Sequence, residues 1–273
     1  MSLRTIGPVM LVGAGKMGIA LAQGWLDAGL PPTNLILVDP KPGEAARELA
    51  GDFGLTIHGE AVGLQPNVLV LAVKPQLIDE VMAGLRPVVG PQTLVVSIAA
   101  GIDIARLSNG LGSGKVVRTM PNTPAQIGKG ITGAVAAPEV SATDREAADT
   151  LLKAAGPVVW FDSEDKLDAV TAVSGSGPAY VFYLVEALAE AGRQQGLPDA
   201  VAAQLARQTV IGSAALLEVD SAPPSVLRQN VTSPNGTTAA GLEVLMAEGD
   251  GLKQLIDRTV AAARRRSEEL GRG

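Results

Sequence analysis

Short, mostly apolar runs recur through the first part of the chain, and segments with helical spacing of apolar positions separate them. Because these runs are apolar at most positions, without alternation of apolar and polar residues, the pattern predicts parallel strands that helices cover on both faces of a sheet. Strands that alternate with helices indicate βαβ units. The predicted strands are Val9–Gly13, Leu35–Val38, Val68–Val73, Thr93–Ala99, Val116–Met120, Thr132–Ala136 and Val158–Phe161.

The pattern changes after Phe161, because from Ser163 onward the spacing predicts helices and no further strand. We therefore expect an α/β protein with two domains. An N-terminal Rossmann dinucleotide-binding domain spans residues 1–162, and an all-α C-terminal domain for dimerisation and substrate binding spans residues 163–273. The predicted helices cover 167–173, 179–195, 199–219, 225–231, 237–248 and 252–270.

The helix before the last predicted strand carries a start signal. Thr143 and Glu146 match the pattern of a capping box, in which each side chain binds the other residue's backbone N–H. The pattern predicts that Thr143 is the N-cap of this helix.

The composition excludes several kinds of chemistry. The 273 residues include no Cys and a single His, His58, which rules out disulfides, thiolate nucleophiles and cysteine-based metal sites. We interpret His58 as part of a short edge strand and its turn, where it is structural or exposed, and we expect no metal site. A net charge of −6 disfavours binding to nucleic acid or an anionic membrane. The nearly uncharged apolar runs fall short of the roughly 20 residues that span a bilayer, and we expect a cytoplasmic protein.

Gly13, Gly15 and Gly18 form a G-x-G-x-x-G pattern directly after the first predicted strand. In this position the glycines allow a tight turn and let backbone N–H groups approach a pyrophosphate at a helix N-terminus. Asp39 ends the second predicted strand, where a carboxylate accepts hydrogen bonds from a free ribose 2′-hydroxyl and repels a 2′-phosphate. The pattern predicts a dinucleotide site and favours NAD, although Lys41 partly offsets the charge of Asp39.

Three further strand ends offer candidate site residues, because ligands of open parallel sheets bind at the carboxyl ends of the strands. Lys74, in Ala72–Pro75, is placed to face the cofactor or the substrate. The small residues of Ala99–Gly101 leave room for a nicotinamide ring. Arg118–Pro124 contains two prolines around Asn122, which predicts a stiff loop that serves as a site wall or as a structural turn.

Val231–Thr238 offers hydroxyls and backbone N–H groups at the beginning of a predicted helix. A carboxylate suits such an anion site, although the spacing alone favours an N-cap turn that binds nothing. Without a catalytic His, oxidation of a hydroxyacid lacks its usual general base. Reduction of a protonated imine needs one proton donor or none.

Six motifs share the order and spacing of one enzyme family. They are Gly13–Gly18, Ala72–Pro75, Ser97–Gly101, Arg118–Ala125, Ser174–Tyr180 and Thr232–Thr238. On these motifs the chain resembles the pyrroline-5-carboxylate reductases from end to end, and the last three motifs are highly specific. Asn235 replaces the glycine that most members have, a change that the tolerance of Asn for left-handed backbone accommodates.

The resemblance implies hydride transfer from NAD(P)H to 1-pyrroline-5-carboxylate, which yields L-proline in the last step of proline biosynthesis. It also implies an interlocked homodimer, and decamers are a common further assembly in the family. NADP is the usual cofactor there, whereas Asp39 favours NAD.

The site residues that the resemblance implies fall into two groups. The cofactor-binding residues are Gly13, Ala14, Gly15, Lys16, Met17, Gly18, Asp39, Ala72, Val73, Lys74, Pro75, Ala100 and Asn230. The substrate-binding residues are Glu164, Ser233, Gly236, Thr237 and Thr238. The amides of Gly236, Thr237 and Thr238 would hold the substrate carboxylate, and the hydroxyl of Thr238 is the expected proton donor or orienting group.

Two other functions remain open at this point. One is an NAD(P)-dependent reductase of another cyclic imine, and the other is a nucleotide-sensing Rossmann module. A sensor would explain Gly13 to Asp39 but would leave Ser233–Thr238 unexplained. The β-hydroxyacid dehydrogenases use a lysine on the interdomain helix, and residues 169–190 contain none.

Overall fold

The computed structural model describes residues 1–271, and within them it contains one sheet of eight strands and eleven α-helices. The strands are β1 Val9–Val12, β2 Leu35–Val38, β3 Ile57–His58, β4 Val68–Leu71, β5 Leu94–Ser97, β6 Val116–Met120, β7 Thr132–Ala136 and β8 Val158–Phe161. The helices are α1 Lys16–Asp27, α2 Glu44–Phe53, α3 Ile78–Leu85, α4 Ile104–Leu111, α5 Ala142–Lys153, α6 Lys166–Val170, α7 Gly177–Gln194, α8 Asp199–Val219, α9 Pro224–Asn230, α10 Thr237–Leu245 and α11 Leu252–Gly271. A π-helical turn, Thr171–Gly175, lies between α6 and α7.

The strand order is β3-β2-β1-β4-β5-β6-β7-β8, and the first six strands in this order have the arrangement of a dinucleotide-binding sheet. The predicted α/β fold with a Rossmann domain is confirmed, and His58 lies in the edge strand β3 as predicted. All neighbouring strands in the described residues are parallel except β6 and β7, which are antiparallel. The segment between those two strands contains only the 3₁₀ helix Thr123–Ile127, and a parallel pairing would need a longer crossover.

Alternate residues of the central strands face opposite sides of the sheet. In β1, Val9 and Leu11 join the core on one face, whereas Met10 and Val12 join the core on the other face. Burial of each such side chain stabilises the fold by about 1.5–3 kcal/mol. Burial on both faces of the sheet is therefore the reason that β1 is apolar at every position.

The capping box of α5 lies two positions earlier in each partner than the sequence predicts. Ser141 is the N-cap, its hydroxyl accepts from the Asp144 N–H, and the Asp144 carboxylate accepts from the Ser141 N–H at 3.1 Å. Burial opposes the ionisation of Asp144, but hydrogen bonds from Ser141 and the contact with Lys115 outweigh it and lower the pKa of that carboxyl. The assignment of Thr143 as the N-cap is therefore wrong.

The packing of the chain divides it at a different place from the predicted boundary. One compact unit, the sheet unit, contains residues 1–176 and the chain from Ala263 onward, and the helical unit contains Gly177–Ala262. Leu167 of α6 is 1% exposed within the sheet unit. The Ser267 hydroxyl of α11 donates to the Asp168 carboxylate of α6 at 2.6 Å. Because of such contacts, residues 163–176 and the end of α11 pack with the sheet, whereas the predicted division separates them from it.

The helical unit buries few of its own apolar side chains. Among its residues, the buried apolar side chains are Ala202 and Ala206, both on α8. By length and composition alone α8 could cross a membrane. It also carries the charged residues Asp199, Arg207 and Glu218, so its nearly uncharged apolar runs stay short, as the sequence predicts. A large exposed apolar surface is also what a helix shows when a second protein chain covers it.

Candidate active site

Each position of the G-x-G-x-x-G pattern is glycine for a different structural reason. Gly13 has a φ of +96°, and a Cβ there would lie 2.6 Å from the Ala72 carbonyl oxygen. A Cβ on Gly18 would lie 2.1 Å from the Gly13 carbonyl oxygen, so α1 can approach β1 only without a side chain. A Cβ on Gly15 would meet no atom within 4 Å. The open space above Gly15 is the space that a pyrophosphate needs to approach the backbone.

The N-terminus of α1 faces the same space. Gly15 is its N-cap, and no side chain of the described residues caps this helix. The first N–H groups of a helix have no partner within the helix and carry a partial positive charge. The exposed Lys16 follows directly. The Gly-rich loop therefore fits a dinucleotide phosphate, as its sequence predicts.

Asp39 lies at the carboxyl end of β2, beside this loop. Its Oδ2 accepts from the Ala14 N–H at 2.8 Å, and its Oδ1 accepts from the Lys41 N–H at 2.8 Å. Asp39 therefore fixes the loop and presents a negative charge to an adjoining cavity of about 630 Å³. Each carboxylate oxygen keeps a second lone pair with which it can accept from a ribose hydroxyl.

The strand-end residues predicted for the cofactor are also in the sheet unit. Ala72 and Val73 lie against the Gly13 turn, and Lys74 is exposed. Pro75 and Ala100 line a second cavity of about 620 Å³. Its wall also includes Gln76, Gly101, Ile102, Arg106, Thr171, Ser176, Ala263, Arg266, Ser267, Glu269 and Leu270.

Glu164 has protein partners within the sheet unit. Its Oε1 accepts from Arg118 Nη1 at 2.8 Å and from the Ile104 N–H at 3.0 Å. The Ser163 hydroxyl donates to the neighbouring Asp165 and lowers the pKa of that carboxyl. Glu164 thus joins β6 to the N-terminus of α4, and its predicted contact with substrate stays a prediction.

The predicted carboxylate loop belongs to the helical unit. Asn235 has a φ of +58° and is the single non-glycine residue with positive φ among the described residues, as expected for an Asn that replaces a glycine. Gly236 is the N-cap of α10, and a Cβ on it would lie 2.3 Å from Ser233 Oγ. No side-chain cap is present on α10 within the described chain. Its first residues, Thr237 and Thr238, are both exposed.

One predicted substrate donor has a partner inside this loop. The Gly236 N–H donates to the Ser233 carbonyl oxygen at 3.1 Å. The N–H groups of Thr237 and Thr238 are then the donors that the helix N-terminus presents to an anion. Asn230, predicted to reach the cofactor, is the exposed last residue of α9.

The sheet unit thus brings together the Gly-rich loop, Asp39, Ala72–Pro75 and Ala100. The helical unit holds Asn230 and the carboxylate loop. Asn122 has a role that its sequence pattern does not show, because its buried side chain joins two segments of the sheet unit. Its position between two prolines is the signal for a fixed loop, but its partners are distant in sequence.

Two family models match separate parts of the chain. The model described as pyrroline-5-carboxylate reductase dimerisation matches residues 164–270. The model described as NADP oxidoreductase coenzyme F420-dependent matches residues 8–101.

Relatives and solved structures extend over almost the whole chain. A pyrroline-5-carboxylate reductase of Pseudomonas aeruginosa is 42% identical over 266 residues, which cover 96% of each chain. A Synechocystis protein of the same name is 45% identical over 266 residues, 96% of this chain and 97% of its own. The structure of a Coxiella burnetii pyrroline-5-carboxylate reductase has a TM-score of 0.89 at 32% identity and covers 97% of this chain and 99% of its own. A Plasmodium falciparum pyrroline carboxylate reductase, solved with NADP bound, has a TM-score of 0.81 at 30% identity, covering 98% and 99%.

Such identity over nearly full length confirms what the motifs predict. The chain belongs to the pyrroline-5-carboxylate reductase family.

Proposed function

We propose that this protein reduces 1-pyrroline-5-carboxylate to L-proline with NAD(P)H, the last step of proline biosynthesis. The observation that carries the proposal is the similarity to pyrroline-5-carboxylate reductases across both units of the chain. The Gly-rich loop alone would suit many dinucleotide-binding proteins. The carboxylate loop, with its left-handed Asn235 and uncapped α10, supports this particular substrate.

The residues of the sheet unit fit a dinucleotide. The open space at Gly15 and the uncapped α1 supply room and N–H groups for the pyrophosphate, and Asp39 supplies acceptors for the ribose. Bound there, NAD(P)H would supply the hydride that the imine carbon accepts. The protein's own contribution is to hold that reactant in one orientation and to exclude others.

The residues of the helical unit are proposed to hold the substrate. The N–H groups of Thr237 and Thr238 bind the carboxylate, together with the positive end of α10. The Thr238 hydroxyl donates a hydrogen bond to the ring nitrogen. When the imine carbon accepts a hydride and the nitrogen holds a proton, the C=N bond becomes the C–N bond of proline. Fixing the carboxylate decides which face of the ring is reduced.

NADH is the cofactor that we propose for this chain. Asp39 brings a negative charge to the cavity where the adenosine ribose would bind, and a 2′-phosphate there would be repelled. Lys41 donates its backbone N–H to Asp39 and places one positive side chain nearby, so the preference for NADH is one of degree.

We also propose that the functional form is at least a homodimer in the cytoplasm. The helical unit has too few buried apolar side chains to be stable alone, whereas the dimerisation model covers its whole length. The interlocked arrangement would bury α8 against a second chain rather than in a lipid bilayer. Assembly into decamers remains a prediction from the family resemblance.

The experiment is a turnover assay on the purified protein with 1-pyrroline-5-carboxylate and either NADH or NADPH, in which the product is identified by chiral chromatography. We expect L-proline in amounts equal to the cofactor oxidised. Cofactor binding without oxidation would favour a nucleotide sensor. Faster oxidation with a cyclic imine of another ring size would favour a different reductase.

A further inference from the structure

The π-helical turn Thr171–Gly175 forms part of a cavity wall in the sheet unit. Thr171 and Ser176, which follows the turn, line the 620 Å³ cavity. Pro75 and Ala100, two of the expected cofactor-binding residues, line it as well, and Ala100 lies in the segment expected to leave room for the nicotinamide ring. A π-helical turn contains an inserted residue, which disturbs the regular pairing of backbone groups and needs support from its surroundings. The shape of this wall therefore depends on what holds the turn.

Asn122 supplies that support from a distant part of the chain. Its Nδ2 donates to the Ser174 carbonyl oxygen at 3.1 Å, and its Oδ1 accepts from the Ile131 N–H at 2.9 Å. The side chain is 9% exposed, so both ends of the amide are used away from bulk water. Pro121 and Pro124 stiffen the backbone on either side.

Two further side-chain hydrogen bonds of the turn are local. Thr171 Oγ1 donates to the Leu167 carbonyl at 2.8 Å, and Ser174 Oγ donates to the Val170 carbonyl at 3.0 Å. Both run back along the same helix and cannot fix its position on the sheet. Asn122 differs because it ties the turn to the end of β6.

We infer that Asn122 is a positioning residue for the reductase reaction. By donating to the Ser174 carbonyl, it fixes the π-helical turn, which forms part of the wall of the cavity that Pro75 and Ala100 also line. The inference rests on the proposed function. Asn122 contacts no reacting atom, and its effect passes through the backbone of the turn.

Asn122→Asp tests the Nδ2 donor without changing the size of the side chain. A protonated Asp can donate to the Ser174 carbonyl and accept from Ile131, whereas an ionised Asp can only accept and is repelled by the carbonyl oxygen. Burial beside a carbonyl raises the pKa of such a carboxyl above its usual value of about 3.9. The variant should therefore be active at low pH and lose activity as the pH rises through that pKa, whereas the wild-type Asn122 side chain does not titrate.

Charged groups on the surrounding elements are already engaged with other residues. Arg118 of β6 pairs with Glu164, Lys166 of α6 pairs with Asp165, and the Asp168 carboxylate accepts from Ser267. Lys129, on the loop after Asn122, also has a partner.

The experiment measures kcat/KM for 1-pyrroline-5-carboxylate in the wild type, Asn122→Asp and Asn122→Ala from about pH 5 to pH 8. At about pH 5, kcat/KM of the Asp variant should be within about threefold of the wild-type value. At about pH 8, the ratio of the variant's kcat/KM to the wild-type value should be about tenfold lower than at about pH 5. The Ala variant should be impaired about equally at every pH. Asn109→Asp, an exposed position on α4, is the matched control and should follow the wild type throughout.

Circular dichroism at each pH reports the folded fraction of every variant. A ratio of Asn122→Asp to wild type that stays constant with pH would overturn the inference. So would a loss of activity that merely parallels a loss of folded protein, since Asn122 would then stabilise the fold rather than the wall. An inactive wild type would refute the proposed function itself, which keeps the two failures distinct.

Discussion

Replacing Gly15 or Gly18 with alanine should separate cofactor binding from folding. Gly15 has a φ of −76° and a ψ of −177°, which alanine adopts freely, and its new Cβ would meet no atom within 4 Å. A Cβ on Gly18 would lie 2.1 Å from the Gly13 carbonyl oxygen, and a backbone atom cannot move aside cheaply. The two variants add the same methyl group three positions apart, at the N-cap and in the first turn of α1.

The structure sets the size of each effect. For Gly15→Ala, the loss of a favourable N-cap costs about 0.5–1 kcal/mol, and the reduced freedom of the unfolded chain returns about 0.4–1 kcal/mol. The free energy of unfolding should therefore hardly change. The methyl group would hold the pyrophosphate off the loop and cost at least one charge-assisted hydrogen bond, about 1.5–3 kcal/mol. That is roughly 10- to 150-fold in the Kd for NADH.

Gly18→Ala should behave in the opposite way. Overpacking of a tight contact costs about 1–3 kcal/mol, or about 2–4 °C of Tm for each kcal/mol in a protein of this size. Thermal unfolding by circular dichroism and titration of NADH fluorescence measure the two quantities. If Gly15→Ala bound NADH as tightly as the wild type, the pyrophosphate would not lie over this loop and the reasoning would be refuted.

Three other substitutions test the remaining parts of the proposal. Thr238→Ala should lower kcat by about 10- to 100-fold with little change in NADH binding, whereas Thr238→Ser should retain most activity in the same steady-state assay. An unchanged kcat in the alanine variant would show that the hydroxyl has no catalytic role. Asp39→Asn should raise the ratio of kcat/KM for NADPH to that for NADH about tenfold, because it removes the charge that repels a 2′-phosphate. Asp52→Asn, at an exposed position, is the control, and the same NADPH to NADH ratio in both variants would contradict the role of Asp39. Phe182 is 63% exposed in the single chain, and Phe182→Glu should yield monomers in size-exclusion chromatography with light scattering, unlike Gln194→Glu on the same helix. A dimeric Phe182→Glu variant would exclude the surface around Phe182 from the interface.

The strands and the Gly-rich loop could be predicted because their constraints are local. Residues such as Val9 and Met10 alternate between two buried faces, so the whole run must be apolar. Gly13 and Gly18 must be glycine for reasons of backbone contact.

The start of α5 shows where a local pattern is ambiguous. Ser141 with Asp144 and Thr143 with Glu146 both satisfy the spacing of a capping box. In the fold, Glu146 pairs instead with the N-terminal amine of Met1. A contact between segments that are distant in sequence therefore decides between two equivalent local signals.

The division into units and the role of Asn122 depend on such long-range contacts. Ser267 meets Asp168, and Asn122 meets Ser174, but neither pair shares a periodic pattern that a sequence could reveal. In the carboxylate loop the Gly236 N–H donates to the Ser233 carbonyl oxygen, a local bond that the motif alone does not reveal. Motifs predict candidate residues for the site, whereas the hydrogen-bond partners of those residues become visible only in the fold.

The most direct test of the central claim compares two substrates that differ only in the carboxylate. With saturating NADH, kcat/KM is measured for 1-pyrroline-5-carboxylate and for 1-pyrroline, which has the same imine ring without the acid. Loss of a charge-assisted anion site predicts at least about a 100-fold preference for the carboxylate, since each such bond contributes about 1.5–3 kcal/mol. Equal turnover of the two imines would contradict a carboxylate site at α10 and, with it, the assignment of this substrate.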